Sequence, residues 1–183
     1  GRLCPFPREL PQTLTPVLDL LALLAENRQL RRQLTASVED AMRRLSRAAE
    51  LREDPHATKH ILRMSHVCGI LAQKLGLPAA EVDLIRLASP MHDLGKIGVS
   101  ETVLFKEDRL DGKERAELQE HAEIGKGLLD GSRDDLLRTA YDIAVTHHER
   151  WDGRGYPNQL QGEDIPIAGR IAALADVFDA LMS

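Results

Sequence analysis

The sequence predicts an all-α protein, a helical bundle preceded by a long N-terminal linker helix. Apolar residues recur every three or four positions, and no clear run alternates apolar with polar side chains as a half-buried strand would. Aromatic residues make up only 3% of the 183, so Leu, Ile, Val and Ala must form the core. That length fits one domain, or one domain with an appendage. It can bury a core without a disulfide or a metal.

Residues 1–14 contain Pro5, Pro7 and Pro11 and read as an irregular tail. Residues 15–49 read as one helix, with Val17, Leu20, Leu24, Asn27, Arg31, Leu34, Val38, Ala41, Leu45 and Ala48 along one seam. A narrow apolar seam flanked by charge suits a two-stranded coiled coil, in which Asn27 and Arg31 would fix the register. The alternative is a single helix packed on the next domain. Residues 50–183 form the main domain. Asp54-Pro55 is a good helix opening, and that helix should stop at Gly76. A second helix is expected from Ala79 to Leu94, interrupted at Pro90, and a third over 113–129 after a connector at 96–110. Ser132, with Asp135 three residues on, resembles a capping box opening a fourth helix to about His148. The Gly- and Pro-rich stretch 149–166 is a long loop, of a length that usually carries function. A last helix starts near Ile167.

Lys plus Arg number 24 and Asp plus Glu 29, a net charge of −5, so nucleic acid and anionic membranes are not attracted globally. An anionic substrate would need local positive charge, from a few basic side chains or bound metal. Cys4 and Cys68 make no disulfide scaffold and suit a reducing cytoplasm. No run of about 18 apolar residues could span a membrane, and the first residues hold no signal-peptide core.

Seven histidines occur, and several stand beside or near carboxylates. His60, His92-Asp93, His121, His147-His148 and Asp176 follow one another at roughly one helix plus one loop. Successive antiparallel helices can thereby each supply one group to a single interior site. Any one of these histidines alone is more often an ordinary polar side chain. Together, mixed imidazoles and carboxylates suit a pair of first-row metals. Zinc is less favoured by so mixed a set.

His92-Asp93-Leu94-Gly95-Lys96 resembles the HD-x-G-K signature of HD-domain phosphohydrolases. His147-His148-Glu149 through Asp152-Gly153-Arg154-Gly155-Tyr156-Pro157 resembles the HHE-x-x-D-G-x-G-Y-P signature of their HD-GYP branch at every fixed position. Ala175-Asp176-Val177-Phe178-Asp179 resembles the family's final aspartate helix. The resemblance covers residues 50–183 and implies an HD-type bundle that hydrolyses cyclic di-GMP to pGpG, and on to GMP, with two divalent metals. Iron or manganese is the first expectation, with nickel, zinc or magnesium as alternatives. It implies His60, His92, Asp93, His121, His147, His148 and Asp176 as ligands, with Asp93 bridging. Asp93 and Lys96 would be catalytic, and Lys96, Arg154, Gly155 and Tyr156 would bind substrate. The chemistry agrees: two adjacent metals activate water and clamp phosphate oxygens, and Lys96 adds charge to the non-bridging oxygens.

Three departures stand out. His56 occupies the place where family members with a third metal carry glutamate, so it is either a further ligand or a polar neighbour. His66 should point away from the site, and Cys68 should be a small core residue. Trp151 is either loop packing, the favoured reading, or a platform for a guanine base. The family continues into an Asp-Arg-Pro-Tyr-Arg stretch, which this chain ending at Ser183 lacks, so the sequence reads as a fragment. Cys4-Pro5-Phe6-Pro7 resembles the end of a response-regulator receiver domain, with Cys4 in place of a lysine. The expected partners are a cyclic dinucleotide, GGDEF-domain proteins docking on the Gly155-Tyr156-Pro157 loop, and a second copy through the N-terminal helix. The rival readings are a phosphodiesterase for cyclic GMP-AMP and a non-catalytic module that binds diguanylate cyclases.

Overall fold

The computed structural model describes residues 14–50 and 57–182. The expectations for the first 13 residues and for His56 lie outside the described residues. The chain divides into two units, Gly1–Asp40 and Ala41–Ser183. Among the described residues there is no strand, only an isolated bridge pairing Asp152 with Gln161. None of the described helices is long and apolar enough to cross a membrane.

In the first unit the helix α1, Thr15–Glu50, carries its apolar side chains outward: Leu20, Leu24 and Leu34 are all more than half exposed. In the second unit the last turns of α1 bury Met42, Ser46, Ala49 and Glu50, one helical face. Leu45, a seam residue, stays exposed. The packed face and the seam are therefore different faces of α1.

The rest of the second unit is a helical bundle. α2 (Ala57–Lys74) packs on α3 (Ala79–Ala88) and on α8 (Ile167–Met182), and α7 (Asp135–Thr146) packs on both α3 and α8. Buried positions run Ile61, Met64, Cys68, Ala72 on α2, Ala140, Ile143, Ala144 on α7 and Ile171, Ala172, Ala175 on α8. Each set follows the helical period, and the many alanines let helices approach closely. Cys68 is fully buried, and burial pushes its thiol up to about 12, so it is the inert core residue expected. His66 is exposed, also as expected.

Three boundaries differ from expectation, each for a local reason. The second helix stops at Ala88 rather than running to Leu94. Pro90 sits in a tight turn at Ser89–Met91, and a second tight segment at Leu94–Gly98 follows the His92-Asp93 pair. The connector holds a short helix α4, Glu101–Leu104, whose Val103 and Leu104 join Val99 in a small satellite core. The third helix is two helices, α5 (Gly112–Gln119) and α6 (His121–Leu129). The Glu120 N–H is shared among the carbonyls of Ala116, Glu117 and Leu118, while His121 Nδ1 takes the Leu118 carbonyl at 2.7 Å. That break carries no Gly or Pro, so the sequence gives no sign of it.

The fourth helix is capped by Asp134, not Ser132. One Asp134 oxygen accepts from Leu136 N at 3.0 Å and Leu137 N at 3.2 Å. Asp134→Ala should therefore lower stability by about 1 kcal/mol, and Ser132→Ala by much less, in chemical denaturation. Equal effects would return the cap to Ser132.

Candidate metal centre

Three histidines of the bundle, His92, His121 and His147, are oriented from their Nδ1 side. His92 Nδ1 donates to the Ser89 carbonyl at 3.1 Å, and His121 Nδ1 to the Leu118 carbonyl at 2.7 Å. His147 Nδ1 donates to the carbonyls of Ile143 at 3.0 Å and Ala144 at 3.1 Å. A carbonyl only accepts, so the proton sits on Nδ1, and in the neutral ring Nε2 is a bare lone pair. The break before α6, the end of α7 and the tight turn after α3 each supply one such ring.

Those lone pairs meet Asp93. His121 Nε2 lies 3.3 Å and His147 Nε2 3.5 Å from Asp93 Oδ1, and the two nitrogens are 3.4 Å apart. His92 Nε2 is 3.2 Å from Asp93 Oδ2, and Lys96 Nζ is 2.8 Å from the same oxygen. Ligand atoms of Asp93, His121, His147 and His148 fall within 4.8 Å of one another, as do those of His60, His92 and Asp176. His60 Nε2 faces Asp176 Oδ1 at 3.7 Å, while its Nδ1 contacts Asp179 Oδ2 at 2.7 Å. Asp93 lies between the two groups with one oxygen toward each.

The electrostatics calls for cations. His92 Nε2 and Asp93 Oδ1 are buried without a hydrogen-bond partner. Burial opposes charge on both residues, yet their mutual attraction outweighs it. Asp93 is held well below the usual carboxylate range, aided by Lys96, and His92 is raised to about 9. The negative field that raises His92 is one that favours positive charge at this place. His148 is pushed down to about 2 by burial and by His147, and burial lowers His121, so both rings are neutral donors. Nitrogen and oxygen acceptors converging in two adjacent groups, with too few protons among them, fit a pair of divalent cations.

The long loop closes over this centre. Glu149, 5% exposed, accepts from Asn158 N at 2.7 Å and Leu160 N at 3.1 Å, tying the loop back to its root. Gly155 is buried against that root, where an added Cβ would lie 2.4 Å from Arg150 N. Tyr156 stacks on His148 with ring centroids 4.6 Å apart. Lys96, Tyr156, His148, His60 and Asp176 line a cleft of about 310 Å³. Arg154 is exposed and does not line it. Trp151 is 61% exposed, with Arg170 5.8 Å above its ring.

The HD domain family model matches residues 29–183. The chain is 42% identical over 180 residues to the 3′3′-cGAMP-specific phosphodiesterase 2 of Vibrio cholerae, 96% of this chain and 34% of that protein. It is 46% identical over 144 residues to the cyclic di-GMP phosphodiesterase response regulator RpfG of Xanthomonas campestris, 79% of this chain and 38% of that one. The chain belongs to the HD-GYP branch of the HD-domain family. A Vibrio cholerae structure described as a cyclic GMP-AMP specific phosphodiesterase (V-cGAP3) has a similar all-α fold, with TM-score 0.55 and 22% identity. That likeness covers 79% of this chain and 40% of that one. This HD-GYP chain spans about a third of the length of the curated relatives it matches.

Three residues at the HD-GYP centre carried no assigned role in the sequence reading. Asp179 orients His60 and is itself held by Arg63, whose Nε and guanidinium nitrogen contact both its oxygens. The Arg63 hydrogen bond, and then His60, keep that carboxylate low. A carboxylate behind a ligating histidine fixes its ring and raises its basicity. The signal was present: Arg63 and Asp179 each stand three residues beyond a proposed ligand, on the same helical face. The third residue is Glu50.

Proposed function

We propose that this chain hydrolyses a cyclic dinucleotide with two divalent metals held by His60, His92, Asp93, His121, His147, His148 and Asp176. The observation that carries this reading is the pair of imidazole nitrogens, His121 Nε2 and His147 Nε2, 3.4 Å apart and facing a buried carboxylate. Two divalent ions held there would supply a water of lowered pKa and positive charge against phosphate oxygens. The mixed nitrogen and oxygen donors favour iron or manganese. Asp93, with one oxygen toward each group, would contribute to holding both ions. Lys96 holds its ammonium at the cleft wall, where it meets a non-bridging phosphate oxygen. Burial first, and the Asp93 charge second, keep the Tyr156 phenol protonated, so it offers a hydrogen bond to substrate. Gly155 and Glu149 hold Tyr156 in place.

Cyclic di-GMP opening to pGpG is the first substrate assignment. Cyclic GMP-AMP is the second, favoured by the relative that aligns with 96% of this chain. The test is chromatographic turnover of both nucleotides by protein loaded anaerobically with Mn(II) or Fe(II), beside His92→Ala. Wild-type turnover that disappears in the variant is expected, faster on cyclic di-GMP. A metal-loaded wild type that cleaves neither would overturn the reading. A chain that holds no metal would instead fit a module docking GGDEF-domain proteins on the Gly155-Tyr156-Pro157 loop.

We also propose that α1 pairs with a second copy. Its outward leucines, Leu20, Leu24 and Leu34, support this. Leu34→Asp should convert a dimer to a monomer in sedimentation. An unchanged mass would reject the pairing.

A further inference from the structure

We infer that Glu50 is a carboxylate ligand of the metal centre, at the cation between His92 and Asp93. This rests on the metal-centre reading above. Glu50 is the last residue of α1 and is 5% exposed, and its Oε1 is buried without a hydrogen-bond partner. Two other buried atoms in the site share that condition, His92 Nε2 and Asp93 Oδ1. Ligand atoms of these three residues lie within 4.8 Å of one another, and Glu50 also lines the cleft.

Carboxylate oxygens only accept, so Glu50 Oε1 and Asp93 Oδ1 cannot satisfy one another unless a proton or cation lies among them. Leaving a carboxylate buried and unpartnered is costly. The buried face of α1 before it carries Met42, Ser46 and Ala49, where an apolar residue at position 50 would continue the packing. A glutamate there points to an oxygen donor needed by a hard divalent ion. The consequence is that α1 supplies a metal ligand through its C-terminal residue.

Equilibrium dialysis of Mn(II) tests this with the full chain. Wild type should bind two ions. Glu50→Gln, which keeps the shape and removes the charge, should weaken one site about tenfold or more and leave the other unchanged. Thermal melting of the metal-free variant checks that it folds. Two unaltered sites in a folded Glu50→Gln protein would overturn the role of Glu50 alone. A wild type that binds no Mn(II) would overturn the metal centre itself. Wild-type crystals grown with Mn(II) give a reading that needs no variant. A Glu50 oxygen should lie about 2.2 Å from an ion, and an oxygen well outside bonding distance would overturn the inference.

Discussion

Asp93→Asn should nearly empty the metal centre and abolish hydrolysis. Asp93 faces both groups of candidate ligands, through Oδ1 toward His121 and His147 and Oδ2 toward His92 and Lys96. Its carboxyl stays ionised because His92 and Lys96 overcome its burial. Asparagine keeps the shape but removes the charge, and it turns an N–H₂ donor toward groups arranged around an anion. Removing a shared ligand should cost at least about 100-fold in metal affinity, taking the upper end seen for mere supporting partners as a floor. Turnover should fall by about 1,000-fold or more, roughly 4 kcal/mol of transition-state stabilisation. Wild-type metal content and turnover in the variant would exclude Asp93 as the bridge.

Gly95→Ala should be the most destabilising small substitution in the chain. The turn at Leu94–Gly98 lies against α6 so closely that a Cβ on residue 95 would sit 1.8 Å from the His121 carbonyl oxygen and 2.6 Å from Gly125 N. Both are backbone atoms, so relief requires moving α6 away from the His92-Asp93 turn, and His121 moves with it. The expected loss is about 3 kcal/mol, or a fall of roughly 10 °C in melting temperature for a protein of this size. Metal affinity should fall alongside. Gly127→Ala is the control: it lies on the same helix with nothing within 4 Å of its Cβ. It should be neutral or up to about 1 kcal/mol stabilising. Equal melting temperatures for the two variants would contradict the close approach.

The convergence of His60, His92, His121, His147 and Asp176 was legible in the sequence because a bundle places one group per helix, and their spacing follows that architecture. The all-α class was legible for a similar reason, from periodicity. Less legible was whatever depends on how elements meet. Glu50 has no mark in the sequence, because nothing local shows which face of α1 the bundle buries. The break at Glu120 is made by a side chain taking a backbone carbonyl, which leaves no Gly or Pro behind. Asp134 and Ser132 are both good caps by type, and only the direction of the incoming chain chooses between them.

The central claim is that two cations sit side by side among these imidazoles and carboxylates. Titrating the anaerobic, metal-free protein with Mn(II) and following the electron paramagnetic resonance signal tests it most directly. The six-line spectrum of free Mn(II) should stay absent until two equivalents are bound, while an exchange-coupled signal of an adjacent pair grows in. Uptake of a single ion, or two ions whose spectra remain uncoupled, would contradict the account.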